Sequence, residues 1–222
     1  TLPRGDDPAV LIPGYGGSYA FQPMLTYIIE GYLLVIVRAF TDRFEILLFA
    51  ARLVNVAFGM GAAVCTRKLS RLLFPEEIMQ WLFSFLVVFL PQSIFIHTYV
   101  NTDSCAVFSV LLMFFFVLQG MRDGYDRKNC TGIALGVILC MLSYYNAYGA
   151  ILVTACLFIA HFMIHISART IAPDGTAFPI DRIRVEWGPL LKGGAYIALL
   201  TLAGAGWWFI RNAFLYQGDF LG

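Results

Sequence analysis

A single acid, Asp103, separates two uncharged stretches of the chain, 78–102 and 104–121. Each is long enough to cross a bilayer, which takes about 20 apolar residues in helical form. A carboxylate at the centre of a spanning helix costs roughly 2.5–3.5 kcal/mol on insertion scales. The chain escapes that cost by reversing direction at Val100-Asn-Thr-Asp-Ser104, which leaves the acid on a short polar turn at one membrane face. Held there, Asp103 is a candidate to bind a metal, a sugar hydroxyl or a phosphate-bearing lipid head. A plain interhelical turn, with Asp103 capping the following helix, accounts for the same residues.

Composition puts the whole chain in the same class. Hydrophobic residues make up 59% and charged residues only 13%, against about 25% charged in soluble domains. An integral membrane protein is expected, all-α, a polytopic helix bundle. A net charge of +1 lacks the basic footprint of a nucleic-acid binder. The five cysteines, at 65, 105, 130, 140 and 156, show no ligand spacing and read as small packing residues. The polar Gly/Pro/Asp opening and the closing Tyr216-Gln-Gly-Asp-Phe-Leu-Gly222 read as a piece of a longer membrane protein, truncated at both ends and inactive alone.

The threading follows from the uncharged runs. Residues 1–22, rich in Gly and Pro, form a loop, and 23–222 form one transmembrane domain. Pro23 opens a helix over 24–40 that carries Glu30 and Arg38 and reads as an interfacial, juxtamembrane segment. Six spans are expected, over 46–66, 78–100, 104–121, 129–145, 147–168 and 190–210, with a kink at Pro91. The forty residues 129–168 carry no charge, twice what one crossing needs, so they fold back, with Ser143-Tyr-Tyr-Asn146 as the hinge.

Orientation comes from Lys and Arg on the connections. One face receives ten of them, at 67, 68, 71, 122, 127, 128, 169, 182, 184 and 192; the other receives five, Arg4, Arg38, Arg43, Arg52 and Arg211. The richer face is cytoplasmic. The outer face then collects the 1–22 loop, Arg52, Asn101 and Asp103, the 143–146 hinge and the stretch from Trp207. Helix ends are where polar residues ordinarily live, and that explains any one of these. It does not explain Arg52, which lies inside a span and needs a partner.

At these residues the chain resembles the GT-C membrane glycosyltransferases, particularly the bacterial relatives of protein O-mannosyltransferases and lipid A aminoarabinose transferases. Phe21-Gln-Pro-Met-Leu-Thr-Tyr27 is similar to the family's (H/K)PPL-x-Y segment, and Ala51-Arg-Leu-Val-Asn-Val56 to its RL-x-(S/N)-V span entry. Ser70-Arg-Leu-Leu-Phe-Pro75 resembles the RRLF that ends that span. Leu90-Pro-Gln-Ser-Ile-Phe-Ile-His97 and Val100-Asn-Thr-Asp-Ser104 are similar to LPQ-F-F…VNNDA. The closing Trp208-Phe-Ile-Arg-Asn-Ala-Phe-Leu-Tyr-Gln-Gly-Asp-Phe-Leu-Gly222 resembles W-x-x-RN-x-x-x-YGD-x-x-G. The motifs occur in family order over nearly the whole chain.

The resemblance implies transfer of a sugar from a polyprenyl- or dolichyl-phosphate donor on the outer or luminal face. It implies membrane lipid as a partner, no nucleic acid, and residence in a bacterial plasma membrane, or in the endoplasmic reticulum membrane of a eukaryote. Asp103 would stand near the donor phosphate or an associated divalent metal ion, for which it is the only candidate ligand. Arg52 and Arg211 would neutralise phosphate through bidentate guanidinium geometry, with Gln22, Asn101, Asn146 and Asn212 as further substrate-binding candidates. The family's catalytic acid lies well ahead of the PPL segment, at a position before Thr1; Asp6 and Asp7 are the acids on that loop. Met24 replaces the second proline, and Asn146 stands where relatives often carry a lysine. Two rival classes remain: a transporter or flippase routed through Asp103, Arg52 and Glu30, and a scaffold subunit without chemistry.

Overall fold

The computed structural model describes residues 23–163, 186–215, 217, 218 and 220, and among these every regular element is helical. In chain order they are α1 (Leu25–Arg38), α2 (Phe44–Leu73), α3 (Glu77–Val88), α4 (Pro91–Thr98), α5 (Asp103–Asp123), α6 (Arg127–Met141), α7 (Tyr148–Met163) and α8 (Trp187–Leu215), with a 3-10 turn at Tyr145–Ala147 before α7. Local chemistry sets several boundaries. Pro91 opens α4 at a position where its missing N–H is not needed. Gly124 ends α5 with φ of 99°, a left-handed conformation that suits glycine. Asp126 caps α6 by accepting from the Asn129 N–H at 2.8 Å.

The helices run alternately up and down. Gly59 of α2 packs on His97 of α4, and Arg67 of α2 bonds Gln80 of α3, so the α3–α4 pair returns antiparallel to α2. Gly61 meets Phe108, which sets α5 parallel to α2. Gly132 and Gly136 of α6 lie so close to Phe116 and Met113 that a Cβ at either position would collide with them. This small-xxx-small stripe lets α5 and α6 approach closely. Thr131 meets Tyr196 at 3.1 Å and Gly204 meets Ile138, so α8 runs parallel to α6. The main core lies between α5, α6 and α7, around Met113, Val117, Ile133, Val137, Cys140, Phe158 and Phe162.

Four helical segments are long and apolar enough to cross a membrane, 44–73, 103–123, 145–163 and 187–215, or five spans if the α3–α4 pair counts as one. That pair bends by 53° at the break before Pro91. Large side chains such as Ile78, Leu152, Leu199 and Leu202 point outward, as they do when the surroundings are lipid rather than water. The expected span 129–145 falls on α6, whose 15 residues reach about 22 Å at 1.5 Å per residue. That is short of a hydrocarbon core of about 30 Å. At 14 residues, α1 is about 21 Å long and also too short to cross.

Arg67, Lys68, Arg71, Arg122, Arg127, Lys128 and Lys192 gather where α2 and α5 end and α6 and α8 begin. Arg38, Arg43, Arg52 and Arg211 belong to the opposite end; Arg4, Arg169, Arg182 and Arg184 fall outside the described residues.

Candidate functional site

The Asp103 end, the outer end in the expected threading, is knit together by contacts between segments distant in sequence. The Leu25 N–H donates to the Leu142 carbonyl at 3.1 Å. Leu142, Ala205 and Trp208 form a small apolar cluster with Leu25 and Phe209, which joins the starts of α1 and the 142–147 turn to the end of α8. Thr26 and Ser143 both flank the Cys105 thiol near the head of α5.

Asp103 stands half-buried at the first position of α5. Its carboxylate accepts a long hydrogen bond, 3.4 Å, from the Tyr99 hydroxyl. It does not cap its helix. The buried Asn101 does that, accepting from the Ser104 N–H at 2.9 Å, while its own amide donates to the carbonyls of Ile96 and Tyr99 at 2.6 and 2.9 Å. Asn101 is therefore committed to the main chain of the turn. The phenol of Tyr99 is held above its usual range by burial first, then by Asp103, Tyr27 and Tyr144. Tyr27 of α1 is raised likewise, by burial and then by Glu30 and Asp103. Tyr27, Tyr99, Asp103 and Tyr144 thus share one electrostatic neighbourhood.

The other expected residues reach the same end in different states. Arg52 is exposed and forms no ion pair or hydrogen bond among the described residues. The partner expected for it is not needed there. The 30 residues of α2 span about 45 Å, so an arginine in its outer third can reach the head-group level. Arg211 turns onto the Trp208 ring at 5.2 Å and donates to Asn212 Oδ1 at 3.2 Å. Asn212 is buried and its amide donates to the Phe220 carbonyl at 3.4 Å. Asn146 is exposed and donates to the Tyr144 hydroxyl at 2.8 Å. Asp6, Asp7 and Gln22 lie outside the described residues. Neither arginine forms an ion pair with Asp103 among the described residues.

Sequence reasoning set Glu30 on an interfacial helix and missed that it is buried. Glu30 of α1, 3% exposed, accepts from the Asn55 side-chain amide at 2.5 Å, and Asn55 Oδ1 in turn accepts from the Ser104 hydroxyl. Asn55 stands in the Ala51–Val56 motif and Ser104 follows Asp103; a polar residue inside each expected span was the available signal. No group of three or more His, Cys, Asp or Glu among the described residues could hold a metal ion. Asp103 with two phenols is a poor donor set for a divalent cation, which favours several carboxylate or carbonyl oxygens.

Below this end, α2, α3, α4 and α5 line an open cleft of about 270 Å³, walled by Val56, Met60, Val87, Ile94 and Leu111 and bordered by His97. The His97 Nδ1 is buried there without a hydrogen-bond partner among the described residues. His161, at the inner end, packs edge-on against Tyr125 with ring centroids 5.0 Å apart. His165 falls outside the described residues. The chain matches no family model, no curated protein and no solved structure.

Proposed function

We propose that this chain belongs to a GT-C-like glycosyltransferase that takes a sugar from a polyprenyl- or dolichyl-phosphate donor at the outer or luminal membrane face. The supporting observation is the meeting of Asp103, Tyr99, Tyr27 and Tyr144 at the end of the bundle that also carries Arg52 and Arg211. In this reading the bundle makes six passes, in a bacterium through the plasma membrane, with the bilayer thinning locally to meet the short α6.

The chemistry divides between the two kinds of charge. A lipid phosphate leaves readily once its charge is met, so Arg52 and Arg211 stabilise the leaving group. An acceptor hydroxyl needs a base, and Asp103 is the half-buried carboxylate at this end. The adjoining apolar cleft takes the first isoprene units of the donor. A transporter reading draws on the bent α3–α4 pair, a kind of break that transporters use at binding sites.

The deciding experiment measures sugar transfer from a radiolabelled polyprenyl-phosphate donor in membranes containing the protein, beside solute uptake into proteoliposomes. Transfer that is lost in Arg52→Ala and Asp103→Asn, at normal membrane insertion, supports the enzyme. Uptake without transfer would replace it with the transporter.

A further inference from the structure

The docking of α1 rests on polar groups. Thr26 and Glu30, one turn apart on one face, are its buried residues, whereas Tyr32, Val35 and Ile36 are turned outward. Glu30 heads a relay of side chains through three helices: its carboxyl takes the Asn55 amide of α2, whose oxygen takes the Ser104 hydroxyl of α5. Beside it, Thr26 of α1 lies against the Cys105 thiol together with Ser143, and the thiol has no solvent exposure. No Lys or Arg among the described residues forms an ion pair with Glu30. A buried carboxylate without a counter-charge is costly, and a proton removes that cost. The Asn55 bond survives the change, because a neutral carboxyl still offers its carbonyl oxygen.

We propose that Glu30 is a proton-binding positioning residue: binding one proton locks α1 onto α2 and the head of α5, and losing it loosens α1 and uncovers Cys105. The latch goes beyond the glycosyltransferase reading and stands without it.

Among the described residues, the titratable groups on the elements at this end of the bundle include Tyr27 on α1, Arg52 on α2, Asp103 and Cys105 on α5, Tyr99 and Tyr144 on the flanking turns, and Arg211 on α8. None of them shifts Glu30: burial lifts its carboxyl to about 7, and the Asn55 amide pulls the other way. The sign follows from linkage. Between 4.5 and about 7 the docked state holds more proton than an undocked one, so docking weakens as pH rises through that window and levels off above it.

The test is alkylation of Cys105 by N-ethylmaleimide, read peptide by peptide by mass spectrometry, on the protein in lipid nanodiscs. Wild type is compared with Glu30→Gln, a permanently neutral side chain of the same size. Taking the ratio of the two rates at each pH cancels the thiol's own titration. The ratio should climb by about tenfold or more from pH 5 to pH 8, since each unit inside the window shifts a linked equilibrium by up to about tenfold. A flat or falling ratio overturns the latch. Should Glu30→Gln not insert, infrared spectra of wild type decide: a protonated-carboxyl stretch that disappears between about pH 5 and 8, with its midpoint raised in Asn55→Ala, supports it. No titrating carboxyl in that window overturns it. Neither readout involves sugar transfer, so the latch and the glycosyltransferase reading fail separately.

Discussion

Glu30 and Asn55 are joined by a 2.5 Å hydrogen bond between helices, across 25 residues of sequence. Asn55 has no exposed surface, so each of its amide atoms depends on a protein partner. It finds Glu30 on one side and Ser104 on the other. One amide thereby fixes α1, α2 and α5 relative to one another at the end of the bundle where Asp103 stands.

Replacing Asn55 with Leu keeps the volume and strands both partners. Leaving a buried polar group unpaired costs about 1–3 kcal/mol, so Asn55→Leu should lower the thermal unfolding midpoint in detergent by several degrees. Glu30→Gln retains an acceptor for the Asn55 N–H and should cost under about 1 kcal/mol at neutral pH. Equal midpoints for Asn55→Leu and wild type would mean that this relay holds nothing together.

The α5–α6 contact gives a prediction about packing. Gly132 has the Phe116 ring where its Cβ would be, so Gly132→Val forces the two helices apart. Overpacking of this kind costs about 1–3 kcal/mol. Gly31 has open space around it, and Gly31→Ala should be neutral or stabilising by roughly 0.5–1 kcal/mol because alanine suits a helix interior. Unfolding midpoints of the two variants in the same detergent check the contrast.

The fold class could be read from composition alone, since only lipid accommodates so many uncharged residues in sequence. The kink at Pro91 and the turns at 101–103 and 143–146 also carried local marks, a proline and clusters of Asn, Ser and Tyr. The residue at which α6 stops was less legible: the run 129–168 is uncharged throughout, and α6 ends at Met141, beside Leu142, which packs with Leu25, Ala205 and Trp208. Glu30 was hidden for a similar reason. An acid on a short helix of mostly apolar residues is naturally assigned to water, and its burial is decided by Asn55 and Ser104 on other helices. The choice of Asn101 over Asp103 as the helix cap was equally invisible, because both residue types cap well.

The threading is open to a direct test. The native Cys65, Cys105 and Cys130 are all buried, so they make poor reporters. Asn146 and Arg43 are exposed at the outer end, and Arg122 is exposed at the inner end. A membrane-impermeant maleimide added to intact cells should label Asn146→Cys and Arg43→Cys. Arg122→Cys should react only after the membrane is opened. The reverse pattern would turn the bundle over and move Asp103 to the cytoplasm.

Asp103 and Asn101 sit two residues apart, yet they should fail in opposite ways. Asn101 makes three hydrogen bonds to the main chain of its turn, so Asn101→Ala removes the cap of α5 and should cost about 1 kcal/mol of stability. Asp103 makes one long bond to Tyr99 and caps nothing. Asp103→Asn keeps shape and hydrogen-bonding capacity and should leave the unfolding midpoint unchanged. If Asp103 is the base for an acceptor hydroxyl, the same substitution should lower sugar transfer by about 10²–10⁴-fold, the usual range for a general acid or base. The Tyr99 phenol adds an internal check: without the Asp103 charge its pKa should fall back toward the ordinary tyrosine value, because Asp103 is one cause of its rise. An ultraviolet titration of the tyrosines follows that change independently of any assay for transfer. Full turnover in Asp103→Asn, with the tyrosine shift observed, would leave Asp103 as an electrostatic neighbour of Tyr99 and remove it from the chemistry.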